Sequence, residues 1–333
     1  MSKVNKKSPY DPELEQVLEK MRHAGSIFSC TLNNIPTFRK HLLTVRLTDE
    51  QLHRNGAIDS EERKVPGPEG APEITLLICR PSALKTNKSK VSLPCIYFIH
   101  GGGMIVGDNR FSLQPLLDWI VELNIIIVSV EYRLAPEHPH PAPSEDCYAG
   151  LLWTASHAQD LGIDVSQLSV AGASAGGGLA AAMALMARDR GGPTLQGQLL
   201  FSPMLDDRDQ TFSTHQFEGM GIWDRQSNLC GWTALLGDQK GSPDVSPYAA
   251  PSRAQDLSNL PSAFIDVGSA ETFRDEDIDY AQRIGQAGGT VELHVWSGGF
   301  HGFTGVAPHA VLSKQANETS KNWYRRLLAS HKK

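Results

Sequence analysis

The sequence contains few cysteines, and their spacing suits neither a metal site nor a disulfide framework. Five occur among 333 residues, and no two of them form a C-x-x-C motif. Such an odd, scattered set fits reduced, mostly buried thiols, whereas small secreted domains carry an even number of paired cysteines. Cysteine usage therefore favours a cytoplasmic protein. The five are Cys30, Cys79, Cys95, Cys147 and Cys230.

Long apolar runs are also absent. The longest, at residues 125–130, is short and rich in β-branched residues, which predicts a buried strand rather than a membrane span of about 20 residues. Residues 1–7 are basic, but no apolar segment follows them, so no secretory signal is visible. The sequence thus predicts no membrane span and, by default, a cytoplasmic location.

An excess of positive charge is lacking too. The formal net charge is −6 and the isoelectric point is near 6.1, and the basic residues form no stripe with interleaved aromatics. We therefore predict no nucleic-acid partner. Two histidines, His138 and His140, flank a proline, but no third ligand clusters near them, so we predict no metal site.

A glycine-framed serine follows an apolar segment and precedes an alanine-rich one. Gly172-Ala-Ser174-Ala-Gly176 fits the G-x-S-x-G nucleophile elbow, in which small flanking residues allow a sharp strand-to-helix turn. Residues 168–171 predict the strand, and residues 179–188 predict the helix. Ser174 is therefore the candidate nucleophile, with the amides of the helix N-terminus beside it.

Strand and helix patterns alternate along most of the chain, which predicts an α/β fold whose parallel or mostly parallel sheet is covered on both faces. The strands are expected at residues 74–79, 95–99, 125–130, 168–171, 198–201, 263–267 and 291–296. Helices are expected at residues 111–123, 145–155, 179–188, 276–287 and 317–328.

Two stretches interrupt this alternation. Residues 1–72 predict an N-terminal helical segment, and a turn-rich break at residues 66–72 separates it from the catalytic domain at residues 73–333. Residues 206–251 are rich in polar residues, glycine and tryptophan, and we interpret them as an insertion that completes a lid. The second helical part of the N-terminal segment fits either core packing or that lid.

Three glycines follow the strand at residues 95–99. In His100-Gly-Gly-Gly103, the missing side chains allow a substrate carbonyl to come within about 3 Å of backbone amides, as in an oxyanion hole. A nucleotide-binding loop fits poorly, since no G-K-[ST] or G-x-G-x-x-G pattern occurs here. We therefore assign the oxyanion hole to Gly101, Gly102, Gly103 and Ala175, with the amides of the last three as donors, and give His100 a structural role.

A nucleophilic serine requires a base and an orienting acid. In the fold that carries the nucleophile elbow, these residues follow along the chain in the order serine, acid, histidine. His301 lies in a glycine-flanked loop after the last predicted strand and is the candidate base. Four other histidines fit less well by position: His138, His140, His294 and His309. For the acid, Glu271 lies where the chain leaves the strand at residues 263–267, and Asp275 and Asp266 remain alternatives.

These motifs together resemble the hormone-sensitive-lipase family of α/β-hydrolases from about residue 74 onward. The similarity rests on His100-Gly-Gly-Gly103, Glu131-Tyr-Arg-Leu-Ala-Pro-Glu-His138, Gly172-Ala-Ser-Ala-Gly176, Arg274-Asp-Glu276 and Phe300-His-Gly302. Glu131 replaces the family's usual Asp. The family's Asp-Pro-Leu reads Glu271-Thr-Phe here, which implies a glutamate in the triad.

The resemblance implies hydrolysis of carboxylic esters with short to medium acyl chains, without a cofactor, beneath a lid built from the N-terminus and the insertion. The main hypothesis is therefore a serine carboxylesterase that acts on a small-molecule ester. A non-catalytic small-molecule receptor of the same fold is the alternative from another class, although relatives of that kind lack the histidine. A peptidase, amidase or lactonase and a possible homo-oligomer also stay open.

Overall fold

A computed structural model describes residues 8–85 and 92–330, and it is built around one eight-stranded sheet. In space the strand order is β1-β2-β4-β3-β5-β6-β7-β8. β2 pairs antiparallel with β1 and β4, and the remaining neighbours are parallel. The strands are β1 Ile58–Val65, β2 Ile74–Pro81, β3 Leu93–Ile99, β4 Ile126–Glu131, β5 Ile163–Ala173, β6 Gly197–Phe201, β7 Ser262–Gly268 and β8 Val291–Trp296.

Helices follow most of these strands. They are α1 Pro12–His23, α2 Ile35–Leu43, α3 Asp49–His53, α4 Gln114–Glu122, α5 Ala142–Ser156, α6 Ala158–Leu161, α7 Ala175–Asp189, α8 Phe212–Gln216, α9 Arg225–Leu236, α10 Arg274–Gln286, α11 Phe303–Val306 and α12 Val311–Ser330. In residues 8–85 and 92–330, no helix combines the length and the apolar character needed to cross a membrane.

The sheet begins earlier than the sequence analysis expects. β1 lies within the range assigned to the N-terminal segment, and it pairs along its whole length with β2. Its apolar residues are confined to its two ends, and charged side chains such as Glu61 form ion pairs with Arg63 and Arg80. An edge strand of this kind lacks the apolar run by which a buried strand is recognised. Residues 8–57 are therefore the N-terminal part outside the sheet.

Both faces of the sheet are buried. Along β3, Tyr97 and Ile99 pack in the cluster that contains the buried faces of α5 and α7, whereas Ile96 and Phe98 pack in the cluster that contains α4 and α12. This alternation is the period of two of a strand with helices on both sides. The predicted α/β-hydrolase architecture, a mostly parallel sheet between helical layers, is confirmed.

A third apolar cluster joins helix α1 to the carboxyl edge of the sheet. Leu14 and Leu18 of α1 pack there with Phe217 of the insertion and with Phe300 and Phe303, which follow β8. We call residues 8–57 and 206–251 the cap. The cap thus contacts the edge at which the parallel strands end.

Candidate active site

Ser174 occupies a turn between β5 and α7 that requires small neighbours. Its φ of +57° and ψ of −122° are strained values for a residue other than glycine. A Cβ at Gly172 would lie 2.1 Å from the carbonyl oxygen of Gly176, and a Cβ at Gly176 would lie 2.0 Å from that of Ile99. The glycines of the motif therefore allow the strand, the turn and the helix to pack at this distance.

Backbone hydrogen bonds hold the turn in place. The amide of Ser174 donates to the carbonyl oxygen of Phe201 at the end of β6, over 2.8 Å. Its carbonyl oxygen accepts from the amide of Met204, over 2.9 Å. The side chain takes no part in these backbone bonds, and Ser174 Oγ lies 2.9 Å from His301 Nε2.

His301 lies in the loop between β8 and α11 and contacts both other members of the predicted triad. Its Nδ1 is 2.5 Å from Glu271 Oε2, and the edge of its ring packs against Phe273, with 5.0 Å between ring centroids. Because a carboxylate only accepts hydrogen bonds, the contact assigns the proton to Nδ1 and leaves Nε2 to accept from the serine hydroxyl.

Glu271 is almost completely buried, with 2% of its surface exposed. Its second oxygen, Oε1, accepts from Ser202 Oγ over 2.8 Å and from the amide of Gly268 over 2.9 Å. These bonds fix the carboxylate and offset the cost of burying its charge. The sequence analysis does not identify Ser202. The sequence signal that could identify Ser202 is its position directly after β6, because β6 lies next to β5, the strand that leads into Ser174.

The two alternative acids are bonded to other groups. Asp266 Oδ2 accepts from Trp296 Nε1 over 3.0 Å, and burial raises the pKa of this carboxyl to about 7. Asp275 accepts from the backbone amide of Ser213 over 2.7 Å and pairs with Arg274. Of the three candidates, the geometry therefore brings Glu271 to His301.

The remaining histidines have other surroundings. His294 stacks on Trp296 and hydrogen-bonds to Glu292. In the part of the chain that the structure describes, no group of three or more histidine, cysteine, aspartate or glutamate side chains is arranged to hold a metal ion, and this includes the surroundings of His138 and His140.

The glycine loop after β3 lies against the serine. A Cβ built on Gly101 would be 3.3 Å from the Cβ of Ser174. Gly102 and Gly103 have φ values of +106° and +61°, which favour glycine. Within residues 8–85 and 92–330, the amides of Gly102, Gly103 and Ala175 donate to no protein acceptor. Unpaired donors beside a serine hydroxyl are what an oxyanion hole requires.

His100 anchors this loop from inside the core. It is fully buried, its Nδ1 lies 2.8 Å from the carbonyl oxygen of Gly101, and its ring stacks on Tyr132. The hydroxyl of Tyr132 donates to the carbonyl oxygen of His100 over 3.0 Å. Burial lowers the pKa of His100 to about 4. An imidazole that is neutral at pH 7 and held in this way fits the predicted structural role.

The cap contacts the glycine loop after β3 and the loop after β4. We call the first of these, residues 100–106, the oxyanion loop after its predicted role. Arg39 of α2 donates to the carbonyl oxygens of Ile105, over 2.7 Å, and Ala135, over 3.0 Å. The ring of Trp223 covers the oxyanion loop, since a Cβ on Gly103 would come within 2.3 Å of it. The sequence analysis does not place Trp223 and Arg39 over the site, because their positions depend on packing between distant segments and no local sequence pattern indicates them.

A cavity of about 580 Å³ lies beside the oxyanion loop, between α2 and the end of β4. Leu42 and Leu43 line it from the cap, and Asp108 and Glu131 line it from the sheet side. Glu131, the residue that departs from the family motif, accepts from the backbone amide of Asn109 over 2.6 Å. Burial raises its pKa to about 7. The residues of the serine–histidine–glutamate chain do not line this cavity.

Comparisons with known proteins agree with this arrangement. A family model described as alpha/beta hydrolase fold matches residues 96–305. Carboxylesterase NlhH of Mycobacterium tuberculosis is 33% identical over 298 residues, which cover 89% of this chain and 90% of that protein. Esterase LipI of the same organism is 36% identical over 230 residues, which cover 68% and 71% of the two chains.

Solved structures of esterases have the same fold over nearly the whole chain. A structure named Bacterial Heroin Esterase superposes with a TM-score of 0.87 at 37% identity, covering 96% of this chain and 98% of that one. Esterase LipW from Mycobacterium marinum gives 0.84 at 30% identity and covers 98% of each chain. The predicted enzyme class, carboxylesterase, agrees with these names. The chain thus belongs to the hormone-sensitive-lipase family of α/β-hydrolases.

Proposed function

We propose that this protein hydrolyses carboxylic esters through an acyl-enzyme formed on Ser174, with His301 as the base and Glu271 as the acid that orients it. The observation that carries the proposal is the unbroken series of hydrogen bonds from Ser174 Oγ through the imidazole to a buried carboxylate. The amides of Gly102, Gly103 and Ala175, which have no acceptor among the described residues, belong to the loop and the helix beside the serine. This combination supplies a nucleophile, a base and a site for developing negative charge.

In the first half of the reaction, Ser174 Oγ attacks the ester carbonyl carbon while its proton passes to His301 Nε2. The resulting imidazolium is stabilised by the Glu271 carboxylate at Nδ1. The negative charge on the former carbonyl oxygen accepts hydrogen bonds from the amides of Gly102, Gly103 and Ala175, while Gly101 leaves space for the substrate. Each such donor typically contributes about 3 kcal/mol to the transition state.

In the second half, the tetrahedral intermediate collapses, and His301 donates its proton to the departing alkoxide. The alcohol leaves, and a water molecule takes its place beside the imidazole. His301 removes a proton from that water as its oxygen attacks the acyl carbon, and then returns the proton to Ser174 when the acid is released. Every proton transfer in this cycle passes through the His301 imidazole, so no cofactor is needed.

Substrate size is the part of the proposal that rests on the cap. α2 and Trp223 lie over the oxyanion loop, which limits the space for groups attached to the carbonyl and favours short to medium acyl chains. The division into a cap and a catalytic domain belongs to the same proposal. A cytoplasmic location, the absence of a nucleic-acid partner and a homo-oligomer stay predictions from the sequence.

Covalent labelling combined with an ester panel tests the proposal. The wild type should react with a fluorophosphonate probe at Ser174 and hydrolyse p-nitrophenyl esters, with acetate to hexanoate preferred over dodecanoate. Ser174→Ala should lose labelling and about 10,000-fold or more in kcat/KM, as removal of a triad serine does. Ser156→Ala, at an exposed serine at the end of α5, is the matched control.

Circular dichroism should show that Ser174→Ala keeps the fold. Undiminished ester turnover in that variant would contradict the assignment. A wild type that binds esters but neither labels nor turns them over would instead support the receptor alternative.

A further inference from the structure

Two cysteines that lie 200 positions apart in the sequence meet inside the cap. Cys30 Sγ and Cys230 Sγ are 3.3 Å apart, and both side chains are buried. Cys30 precedes α2, and Cys230 lies within α9, so the pair joins the N-terminal part of the cap to the insertion. The other three cysteines lie in β2, β3 and α5 of the catalytic domain.

Polar contacts hold the two segments in register around this pair. The amide of Cys30 donates to Ser227 Oγ over 2.9 Å, and Ser29 Oγ donates to Asp224 over 2.6 Å. Asp224 also caps α9 by accepting from the amide of Ser227. Because these bonds flank the sulfur atoms in both segments, the close approach is built into the interface between the two parts of the cap.

The two sulfur atoms differ in their environment. A hydrogen bond joins the two sulfur atoms, and either thiol can donate it. When Cys30 donates, the thiolate of Cys230 is stabilised, which lowers the pKa of its thiol. The same hydrogen bond, together with burial, raises the pKa of Cys30. Since the thiolate is the reactive form of cysteine, donation from Cys30 makes Cys230 the sulfur that reacts first, and Cys30 Sγ lies 3.3 Å away, where it can resolve the product.

We propose that Cys30 and Cys230 are a redox modification site that a hydroperoxide converts into an intrachain disulfide. The Cys230 thiolate attacks the peroxide O–O bond and becomes a sulfenic acid, which releases water or an alcohol. The Cys30 sulfur then attacks Cys230 Sγ and displaces the hydroxyl group as water. Two thiols are oxidised, one peroxide is reduced, and the sulfur atoms move about 1.2 Å closer to reach bonding distance.

The disulfide would tie the cap together directly above the oxyanion loop. Gly231, the neighbour of Cys230, packs against the carbonyl oxygen of Gly103, from which a Cβ would lie 3.0 Å away. Trp223, two residues before α9 and next to Asp224, covers the same glycine. A covalent bond between Cys30 and Cys230 therefore restrains the segment before α2 against the part of the insertion that touches this loop.

Peptide mapping of the native wild-type enzyme tests bond formation without any substitution. After treatment with hydrogen peroxide and alkylation under denaturing, non-reducing conditions, the peptides that contain Cys30 and Cys230 should be joined, with the loss of two hydrogens, and dithiothreitol should separate them. Cys30→Ser and Cys230→Ser should each abolish this linkage, whereas Cys147→Ala, at a buried cysteine in α5, should retain it. A non-reducing gel should show a monomer.

Three outcomes would overturn the proposal: both thiols remaining alkylatable after peroxide, oxidation of Cys230 only to the sulfinic or sulfonic acid, or a linkage between two chains. Hydrogen exchange supplies a second readout that does not depend on esterase activity. Amides of residues 24–44 should exchange at least three-fold more slowly in the oxidised protein and recover after reduction. A disulfide that leaves their exchange unchanged would contradict the proposed restraint of the segment before α2.

Discussion

The catalytic edge of the sheet and the cap are held together in different ways. At the edge, Ser174 and Glu271 are fixed by backbone groups of neighbouring strands, such as the carbonyl oxygen of Phe201 and the amide of Gly268. In the cap, side chains such as Arg39 and Trp223 make the contacts with the oxyanion loop. Backbone contacts depend on the fold, whereas side-chain contacts depend on single residues. Substitutions at the edge should therefore abolish chemistry, and those in the cap should adjust it.

The largest loss of activity is expected on substitution of Glu271, the proposed acid. Glu271→Gln keeps the size of the side chain but removes the charge that stabilises the His301 imidazolium, so kcat should fall about 1,000-fold or more. Steady-state hydrolysis of p-nitrophenyl butyrate measures this. Asp275→Asn is the matched control and should change kcat less than three-fold. The opposite ranking of these two variants would move the acid to Asp275.

At the contact between the two regions, Gly103→Ala should cost about 100-fold in kcat/KM. The new Cβ would lie 2.3 Å from the Trp223 ring, so either the cap or the oxyanion loop must move. Gly219→Ala introduces a methyl group at a similar φ of +68° with no heavy atom within 4 Å, and activity should be retained. Equal losses in the two variants would show that backbone strain, and not the cap contact, causes the effect.

Within the cap, Arg39→Met should lower kcat/KM about five- to ten-fold. It removes two hydrogen bonds to backbone carbonyls near the oxyanion loop and the ion pair with Glu137, a loss of about 1 kcal/mol at a half-exposed site. Arg54→Met, which breaks the ion pair with Asp118 of α4, should leave the kinetics unchanged. A loss near that of Glu271→Gln would contradict the separation of the two regions.

The smallest effect on activity is expected for Asp266→Asn. This substitution should instead change how the free energy of unfolding depends on pH. Its pKa is raised to about 7 in the folded state by burial and is about 3.9 in the unfolded chain, so the folded state binds the proton more tightly. The resulting stabilisation is complete below pH 4 and is lost as the pH rises through 7. Asp266→Asn stays neutral and can still accept from Trp296.

Urea unfolding at pH 5 and pH 8 measures this difference. The free energy of unfolding of the wild type should fall relative to Asp266→Asn by about 2 kcal/mol between the two values. Asp238→Asn, at an exposed carboxylate, should follow the wild type. Parallel curves for wild type and Asp266→Asn would show that Asp266 is ionised in the folded protein.

The buried strands could be predicted from the sequence because each is a short apolar run. The predicted strand at residues 95–99 lies within β3, and the one at residues 168–171 lies within the longer β5. β1 could not be found in this way, because its stability comes from pairing with β2 and from ion pairs across the strands rather than from its own apolar residues. The helix after the serine also begins earlier than predicted, at Ala175, since glycines weaken the helical pattern.

For the site, motif order was enough to propose the serine, acid and histidine, and the structure brings these three side chains into contact. Their catalytic roles stay predictions. The groups that hold them could not be predicted, because they come from distant segments. Ser202 reaches Glu271 only once β6 and β7 are neighbours, and Trp223 reaches Gly103 only once the insertion folds over the sheet.

The contact between Asp11, the N-cap of α1, and the loop of the predicted base bears on the timing of turnover. The amide of Asp11 donates to the carbonyl oxygen of Gly298, and a Cβ on Gly298 would lie 2.2 Å from that amide nitrogen. One end of the cap thus contacts the loop of His301, while Arg39 and Trp223 contact the oxyanion loop. A cap movement that broke both sets of contacts would loosen both loops together, so admission of an ester and readiness for chemistry would compete for the same contacts. We therefore expect the rate of cap closure to set a ceiling on kcat.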